Sequence, residues 1–348
     1  MKTTFVLPFL FCLALILGPA YNMYVHYDFS HSSDTESYLQ MGQGDFNVNP
    51  VHRYRYIVPL AAHIVSLPLQ AVYTKLWPHR AESTWPLQLA FFIVNSFLVA
   101  FYGWIVYRLL RLYSNLLTAI LIGLVVVLTS RWVAYIAGLP LTDSLYLIAI
   151  ASLLYSIKTD NKILFILTVL LGGLMKESFL LFAPLIVLAG PFNWPIRTAL
   201  LFLSTCIVFA EHAIIDAIFP FQLIAGVKHE SLVDILMRTS AKTIETALDL
   251  LTVRGIGEVF TVLGVFTFLL VYGALNKDCR DAWKTDVEKY YWIFFGCILI
   301  HALISGDAAR MFYFGSPLYG ILIVKVMEVI LSKNNFITEL ASKRTSVN

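Results

Sequence analysis

The sequence predicts an all-α protein: a polytopic transmembrane helix bundle of about ten helices, with juxtamembrane helices along its outer face. Three observations predict it. The 348 residues are 59% hydrophobic, with a mean hydropathy of +0.75. Only 14% are charged, against about 25% in a typical soluble domain. The apolar residues also gather in runs of roughly 20, the length that carries a helix across a bilayer core. The net charge of +3 is too small to point to nucleic acid. The four cysteines, Cys12, Cys206, Cys279 and Cys297, have neither metal-ligand nor disulfide-framework spacing and read as free thiols of the core.

The first apolar run, 4–20, follows Lys2 and ends in Gly18 and Ala20, as a signal peptide does. Its length and the position of Pro19 favour a retained first crossing. A long polar segment, 21–85, comes next. Within it Ser33-Asp34-Thr35-Glu36 reads as a capping box that opens a short helix. Asp34 then lies in the first turn, where the helix dipole favours an anion, and Gly42 and Gly44 end the helix. In 55–76, Arg55, Pro59, His63, Ser66, Gln70 and Tyr73 recur every three or four residues and make one polar stripe. Pro59 and Pro68 interrupt that segment, so it is expected to lie at the membrane edge without crossing. Crossings are expected at 86–107, 116–135 and 144–157. The stretch 162–190 is too long for one crossing, and Lys176-Glu177 divides it into two helices meeting at a tight turn. Further crossings are expected at 197–219, 257–275, 289–304 and 312–331. The whole reads as one membrane domain, 1–331, with a short cytoplasmic tail, 332–348, and no internal repeat.

Lysine and arginine placement orients the bundle, since cytoplasmic loops carry an excess of both. With the amino terminus inside, fourteen of the 25 fall on the inner side, among them Arg108, Arg111, Lys158, Lys162 and Lys284. The other eleven spread over about twice as much outer loop. The long segments 21–85 and 220–256 then face outward, together with the short turns at 136–143, 176–177 and 305–311.

The outer turns hold the candidate chemistry. They carry Asp34, Glu36, Asp143, Glu177 and Asp307, with Asp28 and Asp45 flanking the first of them. They also carry Arg53, Arg55, Arg131, Lys176 and Arg310. Each has a plain structural reading, as a helix cap, a local ion pair or a solvated face. Charge at membrane depth is costly, however, and usually faces a cavity or a partner. Four separate turns delivering charge to one rim describe a pocket with acids for proton transfer and cations for phosphate. Tyr38, four residues after Asp34, shares its helix face, and His63 reads as a groove histidine on the polar stripe. Trp77, Trp85 and Trp132 read as interfacial belt residues. His229, among Lys228, Glu230, Asp234 and Arg238, reads as a solvated helix face.

In order and spacing these pieces resemble the GT-C superfamily of polytopic membrane glycosyltransferases, which use polyprenyl-phosphate-linked sugars. "DTESY" supplies the Asp34 and Tyr38 of an Asp-x-x-x-Tyr after the first crossing. "RYRYIVPL" supplies Arg53, Arg55 and Pro59 of a juxtamembrane helix. "PLTDSLYL" supplies Pro140, Thr142, Asp143 and Leu145. "GGLMKESFLLFAPL" and "GDAARMFYFGSPL" resemble the later polar turns. Thr35 separates Asp34 from Glu36, where some members carry paired acids. The resemblance covers about 1–331 and implies a GT-C-like fold of the compact, saccharide- or lipid-modifying kind. It implies sugar transfer from a polyprenyl-phosphate sugar donor to a lipid or saccharide acceptor on the non-cytoplasmic face, with inversion. Asp34 would be the general base, with Glu36 beside it. Arg310, Lys176, Arg53 and Arg55 would serve the donor phosphate. Tyr38, His63, Asp143, Glu177 and Asp307 would shape the acceptor site, the last three being also the oxygen ligands available to a divalent cation. A bacterial inner membrane is the expected location.

Four rivals belong to other classes. A secondary transporter would place charge midway along its helices and tends to show two similar halves; Glu211 and Lys325 are the mid-helix candidates. A membrane acyltransferase would bring a histidine to the site, often with an acid, and His301 is the nearest in sequence. A polysaccharide polymerase would use outer arginines without needing Asp34. A non-catalytic assembly subunit would need none of these residues.

Overall fold

The computed structural model describes residues 3–29, 32–220, 232–305 and 307–345, with side chains omitted at 3, 4, 232–240 and 334–345. His229 and its neighbours Lys228 and Glu230 lie outside the described residues, as do the side chains of Asp234 and Arg238. The described residues are helical or turn, with no strand among them. Helix α1 (Thr3–His26) contains Pro8 and Pro19, which a membrane helix tolerates where its neighbours accommodate the freed carbonyls. Next come α2 (Ser33–Gly42), α3 (Pro50–Arg53), α4 (Ile57–Leu76), α5 (Pro78–Ala81) and α6 (Trp85–Leu110). Helices α7 (Leu117–Leu128), α8 (Arg131–Gly138), α9 (Asp143–Lys158) and α10 (Lys162–Met175) follow. A 3-10 turn, Glu177–Phe182, leads to α11 (Ala183–Leu188) and then α12 (Trp194–Ile218). The chain ends with α13 (Leu232–Leu250), α14 (Val253–Phe260), α15 (Thr267–Leu275), α16 (Lys277–Asp286), α17 (Tyr290–Ser305), α18 (Ala308–Tyr313) and α19 (Ser316–Thr345).

Helices α1, α4, α6 and α12 are long and apolar enough to cross a membrane, and up to seven segments qualify if each of three bent pairs counts as one. This fits an integral multi-pass membrane protein. The bends have side-chain causes. Residues 116–135, expected as one straight crossing, break between α7 and α8 with a 59° turn. Thr129 Oγ1 bonds back to Val125 O, and Ser130 caps Trp132 N while donating to Val262 O at 2.5 Å. Hydroxyls that bond the local backbone compete with helix continuation. The 257–275 segment likewise turns by 97° between α14 and α15. The stretch 162–190 does divide at Lys176, which is extended (φ −165°) between α10 and the 3-10 turn, but both halves, Lys162–Met175 and Glu177–Leu188, are shorter than the spans above. Helix α19 continues to Thr345, through most of the stretch expected as a tail.

Helix α6 is the hub, packing on α1, α4, α7, α8 and α9, and α19 closes the bundle against α7 and α15. In lipid such contacts rest on close packing more than on expulsion of water. Small residues permit it. A Cβ on Gly138 would meet Ala20 O at 2.6 Å, so glycine sets how closely α8 crosses α1. A second apolar cluster sits beside the main core and holds up the site. There Tyr38 and Met41 of α2 meet Val58 and Ala62 of α4, Ala90 and Phe91 of α6, and Leu139 and Leu141.

Helix α4 runs unbroken for 20 residues, with Pro59 in its first turn and Pro68 inside it. By length and a mean hydropathy of 1.4 it qualifies as a span, where the polar stripe predicted an interfacial helix. The stripe faces protein: His63 Nδ1 bonds Gly42 O at 2.8 Å, and Gln70 donates to Ala81 O. Leu60, Ile64 and Leu67 face outward. Arg55, two residues before the helix, meets Tyr38 and Glu177, and Tyr73 near its other end bonds Tyr24 in the last turns of α1. The end of α4 nearer Arg55 thus meets α2 and the turn after α10, and its other end meets the last turns of α1.

Candidate active site

The expected pocket begins with breaks in the helices, because each break frees one charged side chain to turn inward. Helix α2 opens after Ser32, which forms no side-chain cap. The capping box expected at Ser33–Glu36 is therefore absent, and Thr35 Oγ1 instead donates to Phe29 O and Ser32 O. Asp34 lands at the second helical position facing the bundle. Asn95 of α6 fixes the next break. Its amide donates to Leu139 O and Leu141 O at 2.9 and 3.0 Å, and accepts from Ser144 Oγ at 2.6 Å. That pins the start of α9 and with it Asp143. Lys176 projects from the extended residue after α10. Asp307 caps α18, accepting from Arg310 N at 3.4 Å, and this sets Arg310 in the first turn.

These four breaks meet. Arg310 Nη1 lies 3.0 Å from Asp34 Oδ2 and 3.6 Å from Asp143 Oδ2, while its Nε lies 3.0 Å from Asp307 Oδ2. Lys176 Nζ donates to Asp143 Oδ1 at 2.6 Å and stands about 5 Å from the Tyr146 and Phe314 ring centroids. Arg55 joins from the side, bonding Glu177 Oε2 at 3.0 Å and Tyr38 OH at 3.3 Å. Seven charged residues from distant parts of the sequence thus form one network. Burial alone favours the neutral form of each. For Asp34 that pull is outweighed by the hydrogen bond from His52 and the charge of Arg310, so its carboxyl sits well below the usual carboxylate range. Asp307 goes the other way: burial raises it more than Arg310 lowers it. Burial pulls the Lys176 ammonium down to about 8, with Asp143 opposing.

His52 is the member the sequence reading missed. Its Nε2 lies 3.1 Å from Asp34 Oδ1. The ring is buried, and its Nδ1 has no protein partner among the described residues. One aromatic ring in a polar loop, directly before an arginine, carries no periodic or motif signal. Its role appears only once α3 folds under α2.

Not every expected residue joins the network. Glu36 is exposed and lines a shallow hollow with Gln40 and Gln88, on the other side of α2. Arg53 is buried at 1% exposure. It donates to Phe46 O at 3.1 Å and to Phe219 O, and pairs with Asp216 at 3.2 Å. It ties α3 to the end of α12 and stands apart from the Arg310 network. His63 holds the end of α2. Arg131 lies over Trp132. His301 bonds Tyr146 OH at 3.3 Å and, among the described residues, forms no ion pair with a carboxylate.

The acids do not fit a divalent-cation cage. Asp143 is held by Lys176 and Arg310, Glu177 by Arg55, and Asp307 by Arg310. Each carboxylate faces an ammonium or guanidinium, which already occupies the oxygens a cation would need. A polar cavity of about 550 Å³, lined by Lys242, Glu245, Asp249 and Arg254 among others, reaches Ala308 beside Asp307.

A second charged layer sits at the other end of α9, about 24 Å away by helical rise. There Lys158 pairs with Glu288, whose other oxygen accepts from Tyr113 OH at 2.6 Å. Lys325 bridges Asp286 and Glu328 at 2.9 Å each. No family model, no curated protein and no solved structure matches this chain.

Proposed function

We propose that the protein is a membrane glycosyltransferase that moves a sugar from a polyprenyl-phosphate donor to a lipid or saccharide hydroxyl on the non-cytoplasmic face. The reading takes the bundle as a GT-C-like arrangement of about ten crossings in a bacterial inner membrane. The observation that carries it is the joining of Asp34, Arg310, Asp143 and Lys176 across four separate breaks. Transfer needs a base for the acceptor proton and fixed positive charge for the departing phosphate. Arg310 offers a fork of donors and Lys176 a point charge. Asp34 takes the acceptor proton as the acceptor oxygen bonds to the anomeric carbon. The bond from that carbon to the phosphate oxygen breaks with inversion, and its electron pair leaves on the phosphate. In the resting network Arg310 is shared among three carboxylates. A donor phosphate that claims it loosens its hold on Asp34 and so raises the basicity of Asp34. Transfer of labelled sugar from a polyprenyl-phosphate donor in vesicles tests this. Asp34→Asn should fold and lose transfer, and normal transfer by that variant removes the assignment.

The His52–Asp34 pair favours a second reading, a membrane acyltransferase, because a histidine held by an acid suits base catalysis on a hydroxyl. In that case an acyl donor is turned over, a polyprenyl-phosphate sugar is not, and His52→Gln is as damaging as Asp34→Asn.

A further inference from the structure

Helices α6, α9 and α10 enclose an apolar groove of about 380 Å³ that runs from Arg108 to Met175, next to Lys176, and is lined by Phe101, Trp104, Leu167 and Leu171 among others. A volume in the hundreds of Å³ is that of a ligand site. The groove starts at Arg108, in the last turn of α6. Leu167 and Leu171 remain half exposed along it, so it opens toward the bilayer. Arg108 Nη2 donates to Tyr155 OH at 3.1 Å, and its guanidinium stands 5.8 Å from the Trp104 ring and 5.9 Å from the Tyr155 ring. Among the described residues it has no carboxylate partner, whereas Lys158, at the same end of the bundle, pairs with one and Lys325 with two. Arg111 and Lys162 add positive charge at the adjoining helix ends. The acid of that turn, Asp160, forms no ion pair among the described residues.

We infer that this groove holds an anionic phospholipid of the cytoplasmic leaflet, with its headgroup phosphate on Arg108 and one acyl chain along α10. Three features select that occupant. The cation is unneutralised, it is held by aromatic faces at the depth of a headgroup, and apolar walls run from it toward the membrane centre. Basic pockets between helices on the cytoplasmic side are where anionic headgroups bind, and guanidinium matches phosphate with two parallel donors. From Leu164 to Met175 the wall extends about 16 Å by helical rise, enough for much of an acyl chain. The polyprenyl tail of a donor would need its phosphate at the opposite end, beside Lys176, and would leave Arg108 without a counterion.

Native mass spectrometry of the purified protein with phosphatidylglycerol, phosphatidylcholine and a polyprenyl phosphate, each added alone and in pairs, tests this. Wild type should retain phosphatidylglycerol over phosphatidylcholine. Arg108→Gln should lose that preference by about tenfold, the size of one charge-assisted contact. Leu167→Trp, at a lipid-facing wall position, should lose the bound phosphatidylglycerol while eluting as a folded species. Equal retention of the two phospholipids by wild type, or an unchanged preference in Arg108→Gln, overturns the proposal. So does displacement of phosphatidylglycerol by polyprenyl phosphate, which would make the groove a carrier-tail site. The readout involves no sugar transfer, so it stands or falls apart from the function proposed above.

Discussion

Replacing Lys176 by methionine removes the positive partner of Asp143. The two side chains are 6% and 5% exposed, and their charged atoms lie 2.6 Å apart. Methionine fills much of the same space, so the main loss is charge. Asp143 is left facing Arg310 at 3.6 Å, a guanidinium already shared with Asp34 and Asp307. Breaking a buried pair from one side costs about 3–5 kcal/mol, because the other charge stays buried. The residual pull of Arg310 sets the expectation at about 3 kcal/mol. At roughly 2 °C per kcal/mol for a long chain, that is a fall of about 6 °C in Tm. Asp143→Asn should cost less, since Lys176 keeps the faces of Tyr146 and Phe314, a cation–π contact of about 1–2 kcal/mol. The double variant Lys176→Met/Asp143→Asn should be more stable than the sum of the single losses predicts, with a coupling of about 2 kcal/mol or more. Thermal melts of the purified proteins, read by tryptophan fluorescence, measure all three. A Lys176→Met protein within about 0.5 kcal/mol of wild type, or additive single losses, refutes the reasoning.

The depressed carboxyl of Asp34 gives a signed pH dependence. A group held below its unfolded value contributes stability above that value and loses it as the pH falls toward the folded one. Wild type should therefore weaken as the pH drops below about 4, and Asp34→Asn should weaken less, as acid unfolding curves would show. In transfer assays Asp34→Asn should lose about 100-fold or more, while Glu36→Gln, outside the network, should stay within about twofold of wild type. Arg53→Met should lower Tm by freeing the end of α12 yet leave the KM for donor unchanged in the folded fraction. Gly138→Val should cost about 1–3 kcal/mol by forcing α8 off α1, seen as a lower Tm or as loss of folded protein on size-exclusion.

Charge in a gap between apolar runs is readable from sequence. That is why Asp143, Lys176, Asp307 and Arg310 stood out, and why they converge: a helix break frees a side chain from the lipid-facing cylinder. Asp34 was readable for the same reason, although the cap that opens its helix falls one residue earlier than the Ser-x-x-Glu spacing suggested. That shift turns Glu36 outward. Arg53 and Arg55 look alike in sequence, and only the folded path of α3 sends one to Asp216 and the other to Glu177. His52 carries no pattern at all. The bends at Thr129-Ser130 and before α15 were hidden because hydropathy averages over a kink, and local hydroxyl bonds decide it. The polar stripe of 55–76 was legible, but its packing surface was not: the stripe faces α2 and α5 and leaves leucines on the outside.

The account rests on Asp34 and Arg310 meeting at the non-cytoplasmic rim. Cross-linking tests this most directly. In a protein with Cys12, Cys206, Cys279 and Cys297 replaced by alanine, Asp34→Cys and Arg310→Cys are introduced together in sealed vesicles of known orientation. A short thiol cross-linker that cannot pass the membrane should join them when added from the non-cytoplasmic side only. Failure to join from either side, or joining only from the cytoplasmic side, contradicts it.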